Sequence, residues 1–522
     1  MYSRRLLTPV LLGLCCASVS CTYLPQKVLQ GDHQTGQFEY AIIDLPLDHF
    51  TPADNRTFSN RFWVNTTFYQ PGSPIFFYDA GERGVSNRET VLTSAAHPLI
   101  KLAESFNGAA VVWEHRYYGL SSPFPEELSG TQEERQEAYQ YLNTEQALED
   151  TVYFASHFKP DSLKPHWDIL GFDTTPWIWI GGSYPGQRGA MIRRRNPDVF
   201  FASWSSSANV QVRWSLPEYY LRISRYLPDE CREVIQAFVR QVDRVLKDGQ
   251  QWEKLQLRWA IARRWPIETY TYFDKMEFAF LAPDILVASH VRNLIAADWQ
   301  WEGLEGRMGT TCAAISSAQF NSNSTPNSHA AVAMETILDA IEANNRHFAS
   351  RSNSAQNFPL DAQAWAYQSC TEYFQFQTAA ADAEDPYNIL SSLFTPEKIW
   401  ETDCNRQFPW LSPVPGSETP TPAKYAGWDK NFSRVMFTTG LQDPWHDVSI
   451  VPGTGGLIPG SPRGRRITDV VPGCEEVLDG EDVFGLFFQE GRHCSDLVPG
   501  SAEAGRAVGL FGEALRGWLG CL

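Results

Sequence analysis

The segment best suited to chemistry is residues 177–198, WIWIGGSYPGQRGAMIRRRNPD, in which Ser183 follows two glycines. Its pattern indicates an apolar strand, a sharp turn and then a helix. A serine at the apex of such a turn has a strained backbone and an exposed hydroxyl. The next amide and the helix N-terminus face the charge that develops on a substrate carbonyl. We therefore take Ser183 as the candidate nucleophile.

Pro185 departs from the usual G-x-S-x-G pattern, because it occupies the second position after the serine, where a glycine is expected. Proline is tolerated in the first turn of a helix, so the departure does not exclude the motif. The alternative interpretation is a glycine-rich turn with an idle serine.

A serine nucleophile of this kind needs an acid and then a histidine, in that chain order, each on a loop after a later strand. The apolar run at 434–438 leads to Asp443, and the run at 482–488 leads to His493. We predict these residues as the carboxylate and the general base.

Three other residues compete for these roles. His446 lies on the same loop as Asp443 and would need a separate carboxylate to orient it. Asp447 and Asp496 are alternative acids.

The elements that must position these residues are short apolar runs bounded by Gly, Pro or polar residues, as in strands that are covered on both faces. A helix is predicted over 144–157, and another closes the chain. Together they predict a layered α/β domain of the α/β-hydrolase type. The predicted strands lie at 74–78, 109–113, 177–180, 200–204, 434–438 and 482–488.

Between about 213 and 400 the sequence changes to helical periodicity, which we interpret as an inserted, mainly helical cap. The Pro-rich stretch at 412–422 is a plausible return linker. The predicted division is a signal peptide at 1–20, the α/β-hydrolase domain at 21–212 and 425–522, and the cap with its linker at 213–424.

The N-terminus indicates secretion, because two arginines precede an apolar run and small residues. Seven widely spaced cysteines follow the signal region without a CxxC pair, so we expect disulfides and no metal site. We predict a secreted protein, or one in the lumen of an acidic vacuole or lysosome. Four glycosylation sequons agree with this: Asn55, Asn65, Asn323 and Asn431.

The formal net charge of −18 makes nucleic acid a poor partner. No window after the signal is long and apolar enough to span a bilayer, so we expect no membrane association once the signal is removed. The expected partners are peptide substrates, and the sequence leaves a homodimer open.

Seven motifs, in order and spacing, resemble the family of prolyl carboxypeptidase and dipeptidyl peptidase II, which are proline-directed serine peptidases. The resemblance implies Ser183, Asp443 and His493 as the triad, the amide of Tyr184 in the oxyanion hole, and a cap inserted in the α/β-hydrolase fold. No cofactor is required. The motifs are PIFFYDAGERG (74–84), WEHRYYGLSSPF (113–124), YLNTEQALED (141–150), GGSYPG (181–186), WAYQSCTEY (365–373), LQDPW (441–445) and GRHCSDL (491–497).

Some substrate contacts are also expected. The turn containing Gly81 and Glu82 should border the oxyanion hole, although Arg83 departs from the GGEG-like turn of the family. Glu82 and Glu372 are candidate substrate-binding carboxylates, with structural ion pairing as the alternative. Trp445 is a candidate wall for a proline ring, with core packing as the alternative.

The resemblance suggests two disulfides within the cap, and nearness in the sequence to the predicted histidine suggests a third. The expected pairs are Cys231 with Cys312, Cys370 with Cys404, and Cys474 with Cys494.

The sequence therefore predicts a peptidase that cleaves after proline through an acyl-enzyme. An exopeptidase is favoured, either a dipeptidyl peptidase or a Pro-Xaa carboxypeptidase. The alternatives are a prolyl endopeptidase of the same family, a secreted esterase or lipase, and an inactive secreted binding protein. The motifs argue against the esterase, and the intact order of the triad argues against the inactive protein.

Overall fold

The computed structural model describes residues 38–85, 90–264, 271–296, 299–317, 335–340, 342, 358–382, 384–411, 421–451, 465–474, 476–478 and 481–522. The predictions of a signal peptide at 1–20, a sequon at Asn323 and most of the Pro-rich linker lie outside the described residues.

A nine-stranded sheet forms the centre of the fold. The other two described strands, β7 and β8, form a separate parallel pair. The strands are β1 (Glu39–Pro46), β2 (Thr57–Asn65), β3 (Ile75–Asp79), β4 (Ala109–Trp113), β5 (Trp177–Gly182), β6 (Phe200–Ser206), β7 (Arg213–Ser215), β8 (Phe374–Phe376), β9 (Val435–Gly440), β10 (Arg466–Thr468) and β11 (Asp482–Phe488).

The large sheet has the order β1-β2-β4-β3-β5-β6-β9-β11-β10. Strand β2 is antiparallel to both of its neighbours, and all pairs from β4 onward are parallel. With helices on both faces, this is the α/β-hydrolase fold, as predicted. The strand predictions at 109–113 and 482–488 are confirmed residue for residue.

The central parallel strands are rich in apolar residues because both faces of the sheet are covered. In β5, Trp177 and Trp179 belong to the hydrophobic core on one face, and Ile178 and Ile180 belong to the core on the other. The predicted helix at 144–157 is present. In the described chain outside residues 213–424, the helices are Thr90–Thr93, Pro98–Ser105, Gln132–Tyr139, Thr144–His157, Tyr184–Arg195 and Ala502–Leu519.

Helices dominate residues 213–424, and their apolar faces form a third hydrophobic core. Disulfides join Cys231 to Cys312 and Cys370 to Cys404, the two pairs that the family resemblance suggested. The cap boundaries at 213 and 424 stay predictions. The described helices here are Glu218–Arg225, Asp229–Asp248, Gln251–Ala262, Tyr272–Leu281, Asp284–Ala296, Trp299–Glu302, Arg307–Ser317, 335–340, Pro359–Gln368 and Pro396–Ile399.

The predicted pairing of Cys474 with Cys494 is wrong, since Cys474 is bonded to Cys521 and Cys494 is free. The C-terminal helix packs along the sheet, and the Trp518 indole donates a hydrogen bond to the carbonyl of Pro472. This packing brings the last residues of the chain to Cys474.

The sequon prediction at Asn65 also needs correction. Its side chain is buried, and its amide nitrogen donates to the carbonyl of Leu92. The folded chain therefore does not offer this asparagine to solvent. Asn55 and Asn431 are exposed.

None of the helices in the described part of the chain has the length and apolarity needed to cross a bilayer.

Removing the Cys231–Cys312 disulfide should strongly destabilise the helical region, because the bond closes a loop spanning 81 residues. We expect the double change Cys231→Ser and Cys312→Ser to lower the free energy of unfolding by about 4 kcal/mol, measured by urea denaturation. Cys494→Ser, which leaves all three bridges intact, is the control. Equal midpoints for both variants would contradict this view.

Candidate active site

Four neighbouring parallel strands, β5, β6, β9 and β11, end at the same edge of the sheet. The first turn after each strand contributes a polar side chain. Ser183 follows β5, Ser207 follows β6, Asp443 follows β9 and His493 follows β11. The topology therefore gathers four residues that are far apart in sequence.

Ser183 has φ 63° and ψ −125°, a left-handed conformation that costs a non-glycine residue about 1–3 kcal/mol. Its backbone amide donates to the Ser206 carbonyl at 2.9 Å, and its own carbonyl accepts from Gln187 at 2.9 Å. The side chain is partly exposed. Because Tyr184 is the first residue of the helix, its amide has no acceptor within that helix. An amide in this position can donate to an oxyanion beside the serine.

Pro185 fits here because two glycines make room for it. A Cβ at Gly81 would lie 2.3 Å from Cγ of Pro185, and one at Gly181 would lie 2.5 Å from its carbonyl carbon. The Trp179 indole donates to the Pro185 carbonyl at 2.9 Å. The proline therefore packs between the end of β5 and the loop after β3.

The Gly81 amide is already engaged, since it donates to the Asp79 carboxylate at 3.0 Å. Asp79 also pairs with the buried Arg188 at 2.6 Å. Asp79 thus holds the loop after β3 against the turn that carries Ser183, and a substrate contact by Gly81 stays a prediction. Glu82 is partly exposed and Arg83 exposed on the same loop.

His493 and Asp443 form a buried hydrogen-bonded pair. Nδ1 of His493 lies 2.9 and 2.8 Å from the two carboxylate oxygens, and the Trp445 amide donates to the same carboxylate at 2.9 Å. Burial disfavours both charges, but their mutual attraction outweighs it. It raises the pKa of His493 well above its usual value and lowers the pKa of Asp443.

Nε2 of His493 is buried and has no hydrogen-bond partner among the described residues. The structure therefore shows no hydrogen bond between Ser183 and Nε2 of His493. In enzymes of known mechanism, such bonds often tighten only when substrate binds. Their neighbours do meet, since a Cβ on Gly182 would lie 2.8 Å from Sγ of Cys494.

Ser207 is a residue that sequence reasoning missed. Its hydroxyl accepts from the Cys494 amide at 2.9 Å, and it also hydrogen-bonds the Asp443 carboxylate. It thus ties the loop with the acid to the loop with the histidine. The only signal was a polar SSS run after the apolar strand, and serine is too common at strand ends for that to be specific.

The three residues that compete for the roles of acid and base have other partners. His446 is buried beside the hydroxyl of Thr439. Asp447 forms a bidentate ion pair with Arg222, at 2.5 and 2.9 Å. Asp496 is buried among hydroxyl and indole donors at the ends of β6 and β9, and burial raises its pKa.

Glu372 is buried and accepts hydrogen bonds from the amide and the hydroxyl of Thr144, at the start of the helix Thr144–His157. Burial raises its pKa. The carboxylate stabilises a helix N-terminus, which favours the structural role that the sequence left as the alternative. A substrate contact by Glu372 stays a prediction.

Trp445 does lie at the site, where its indole nitrogen donates to Oε1 of Gln300 at 3.0 Å. The ring is partly exposed and packs edge-to-face on Tyr219. Gln300 belongs to the short helix Trp299–Glu302, which sequence reasoning also missed. The ring of Trp301 in this helix lies 5.2 Å from the ring of His493.

Comparison with known protein families finds a match over most of the chain. Residues 45–459 match the family model described as "Serine carboxypeptidase S28". That span contains Ser183 and Asp443, and His493 lies beyond it.

Three curated relatives show how far the likeness extends. Serine protease vicPb of Bipolaris victoriae is 27% identical, over 77% of each chain. Thymus-specific serine protease of Homo sapiens is 28% identical, over 88% of this chain and 81% of the other. A probable extracellular serine carboxypeptidase of Arthroderma benhamiae is 25% identical, over 78% of this chain and 59% of the other.

Asp443→Asn tests the buried pair through the rate at which a fluorophosphonate labels the serine. We expect a loss of roughly 10,000-fold, because the histidine loses its orienting carboxylate. Labelling needs the neutral imidazole, so the rate should rise with pH through the pKa of His493. Without Asp443 that pKa falls, and the rise should move to lower pH.

Asp447→Asn is the matched control. It removes a partner of Arg222 and should lower the free energy of unfolding. The pH at which the labelling rate rises should stay that of the wild-type protein. A rise that shifted in this variant and not in Asp443→Asn would show that the acid is misassigned.

Proposed function

The chain belongs to the serine carboxypeptidase S28 family, and on that premise we propose that it is a secreted peptidase that cleaves after proline. It is a serine-type hydrolase that acts on peptides. We assign Ser183 as the nucleophile, His493 as the base and Asp443 as the acid. The observation that carries this proposal is the buried His493–Asp443 pair at the same sheet edge as the strained serine.

In the proposed reaction, Oγ of Ser183 attacks the scissile carbonyl while Nε2 of His493 takes its proton. The amide of Tyr184 donates to the oxyanion. His493 then protonates the departing amine, and the C–N bond breaks to leave an acyl-enzyme. Water, deprotonated by the same imidazole, releases the acid and restores the serine. Asp443 keeps the imidazole oriented and stabilises its charged form in both halves.

The preference for proline is supported by Trp445. Its nitrogen is engaged by Gln300, so the partly exposed ring is left as an apolar surface. A proline ring suits such a surface, because it is apolar and rigid and lacks an N–H that would need an acceptor.

Exopeptidase action is favoured by the position of the short helix Trp299–Glu302, which contacts the loops of Asp443 and His493 beside the site. A free amino terminus would need a carboxylate, for which Glu82 is the candidate. A free carboxyl terminus would need a cation, for which Arg83 is the candidate. Both residues lie on the loop after β3, so dipeptidyl peptidase and Pro-Xaa carboxypeptidase remain the two forms of the proposal.

Export is supported by the leader-like N-terminus, by three disulfides and by the exposed sequons at Asn55 and Asn431. The proposed location is outside the cell or in the lumen of an acidic vacuole or lysosome.

A panel of peptides tests the function. It contains one proline peptide with free and blocked ends, its proline-to-alanine analogue and a p-nitrophenyl ester, and the readout is product mass and kcat/KM. We expect cleavage after proline to exceed cleavage after alanine by about 10–100-fold. Blocking the amino end should stop a dipeptidyl peptidase, and blocking the carboxyl end should stop a carboxypeptidase.

Cleavage with both ends blocked would identify an endopeptidase, which is the alternative within the same family. Rapid turnover of the ester without cleavage of any peptide would overturn the proposal. Ser183→Ala should abolish turnover while its circular dichroism spectrum stays that of the wild-type protein.

A further inference from the structure

The short helix Trp299–Glu302 lies over both loops that carry the proposed acid and base. Toward the acid loop, the Trp299 indole donates to the Gln442 carbonyl at 3.4 Å, and the side chain of Gln300 accepts from the indole of Trp445. Toward the base loop, the Gln300 carbonyl accepts from the His493 amide at 3.3 Å. The helix is therefore fixed to the site from two sides.

Further contacts fix its C-terminal end. Nη1 of Arg492 donates to the Glu302 carbonyl at 2.5 Å and lies 3.2 Å from the Glu305 carboxylate. Trp299 is almost fully buried. The position of the helix thus does not depend on the side chain of Trp301.

Trp301 differs from Trp299 in the same helix, because half of its side chain is exposed. It nevertheless lies beside His493, which is buried. Its ring centre lies 5.2 Å from that of His493, at an angle of 72°. Exposure alone does not mark a binding site, but this large apolar ring lies on a fixed backbone beside the proposed base, where a bound substrate would meet it.

The chemistry of the imidazole indicates which part of a substrate meets this surface. During acylation, His493 protonates the amine that leaves, so the leaving residue must lie next to its ring. That residue is the one on the carboxyl side of the scissile bond. The proline, by contrast, stays with the acyl group on the serine.

We propose that Trp301 binds the side chain of the leaving residue and gives the enzyme a preference for an apolar or aromatic residue there. This inference rests on the proposed peptidase function. The neighbourhood also disfavours an acidic leaving residue, since Glu302 and Glu305 lie on this segment and Arg492 is already paired with Glu305.

The test uses peptides that differ only in the residue after proline, with Phe, Leu, Ala or Asp at that position. For the wild-type protein we expect kcat/KM to be about 10-fold higher for Phe and Leu than for Ala, and lowest for Asp. Trp301→Ala should bring Phe and Leu to within about 2-fold of Ala, while cleavage of the Ala peptide changes little. Trp301→Phe should keep most of the preference.

Two controls separate specificity from a structural effect. Trp252→Ala removes another half-exposed indole, on the helix Gln251–Ala262, and should leave the whole series unchanged. A fluorophosphonate carries no leaving amino-acid residue, so Trp301→Ala should change its labelling rate less than it changes the ratio of kcat/KM between the Phe and Ala peptides.

A wild-type series with no dependence on the leaving residue would overturn the inference. So would an equal loss by Trp301→Ala on all four peptides and on labelling, because that would indicate a structural role. If the wild-type protein cleaves elsewhere than after proline, the proline preference fails, and the same series placed at the observed cleavage site still tests Trp301.

Discussion

The hydrogen bond between Nδ1 of His493 and the carboxylate of Asp443 is the interaction on which the rest of the site depends. Both groups are buried, and a buried carboxylate is costly unless donors surround it. Here the donors are the imidazole, the Trp445 amide and the Ser207 hydroxyl. They come from the ends of three adjacent strands, so the order of the sheet is a precondition for the charge. The same topology brings the strained turn of Ser183 to this edge.

The helical region takes part in the site and is more than a cover. Arg222, on the first of its helices, forms a bidentate ion pair with Asp447 and donates to the Leu441 carbonyl, so it holds both ends of the loop that carries the acid. Gln300 holds the indole of Trp445 and the backbone of His493. The geometry of the His493–Asp443 pair therefore depends on contacts from this helical region.

Features that are local in sequence could be predicted, and features that arise from long-range packing could not. The apolar runs of β4 and β11 and the turn at Ser183 carry their own signals. Strands β1 and β2 were not predicted. Strand β1 is half exposed and mixes polar with apolar residues, so it lacks the apolar run that marks the predicted strands. The partner of Cys474 depends on how the last helix packs, and nothing near Trp301 in sequence indicates that it meets His493. The family resemblance predicted two disulfides that periodicity cannot indicate, Cys231 with Cys312 and Cys370 with Cys404. The burial of Glu372 depends on long-range packing, so neither approach predicted it.

The most direct test of the account is to trap the acyl-enzyme. An activated ester of a dipeptide that ends in proline, with its amino end free in one sample and acylated in another, is mixed with the protein. The reaction is quenched in acid, and the adduct is located by peptide mass mapping. We expect one acyl group, on Ser183, which accumulates during the first turnover and disappears as product forms. Turnover of the ester with the acyl group on another residue, or with no covalent adduct at any time, would contradict it.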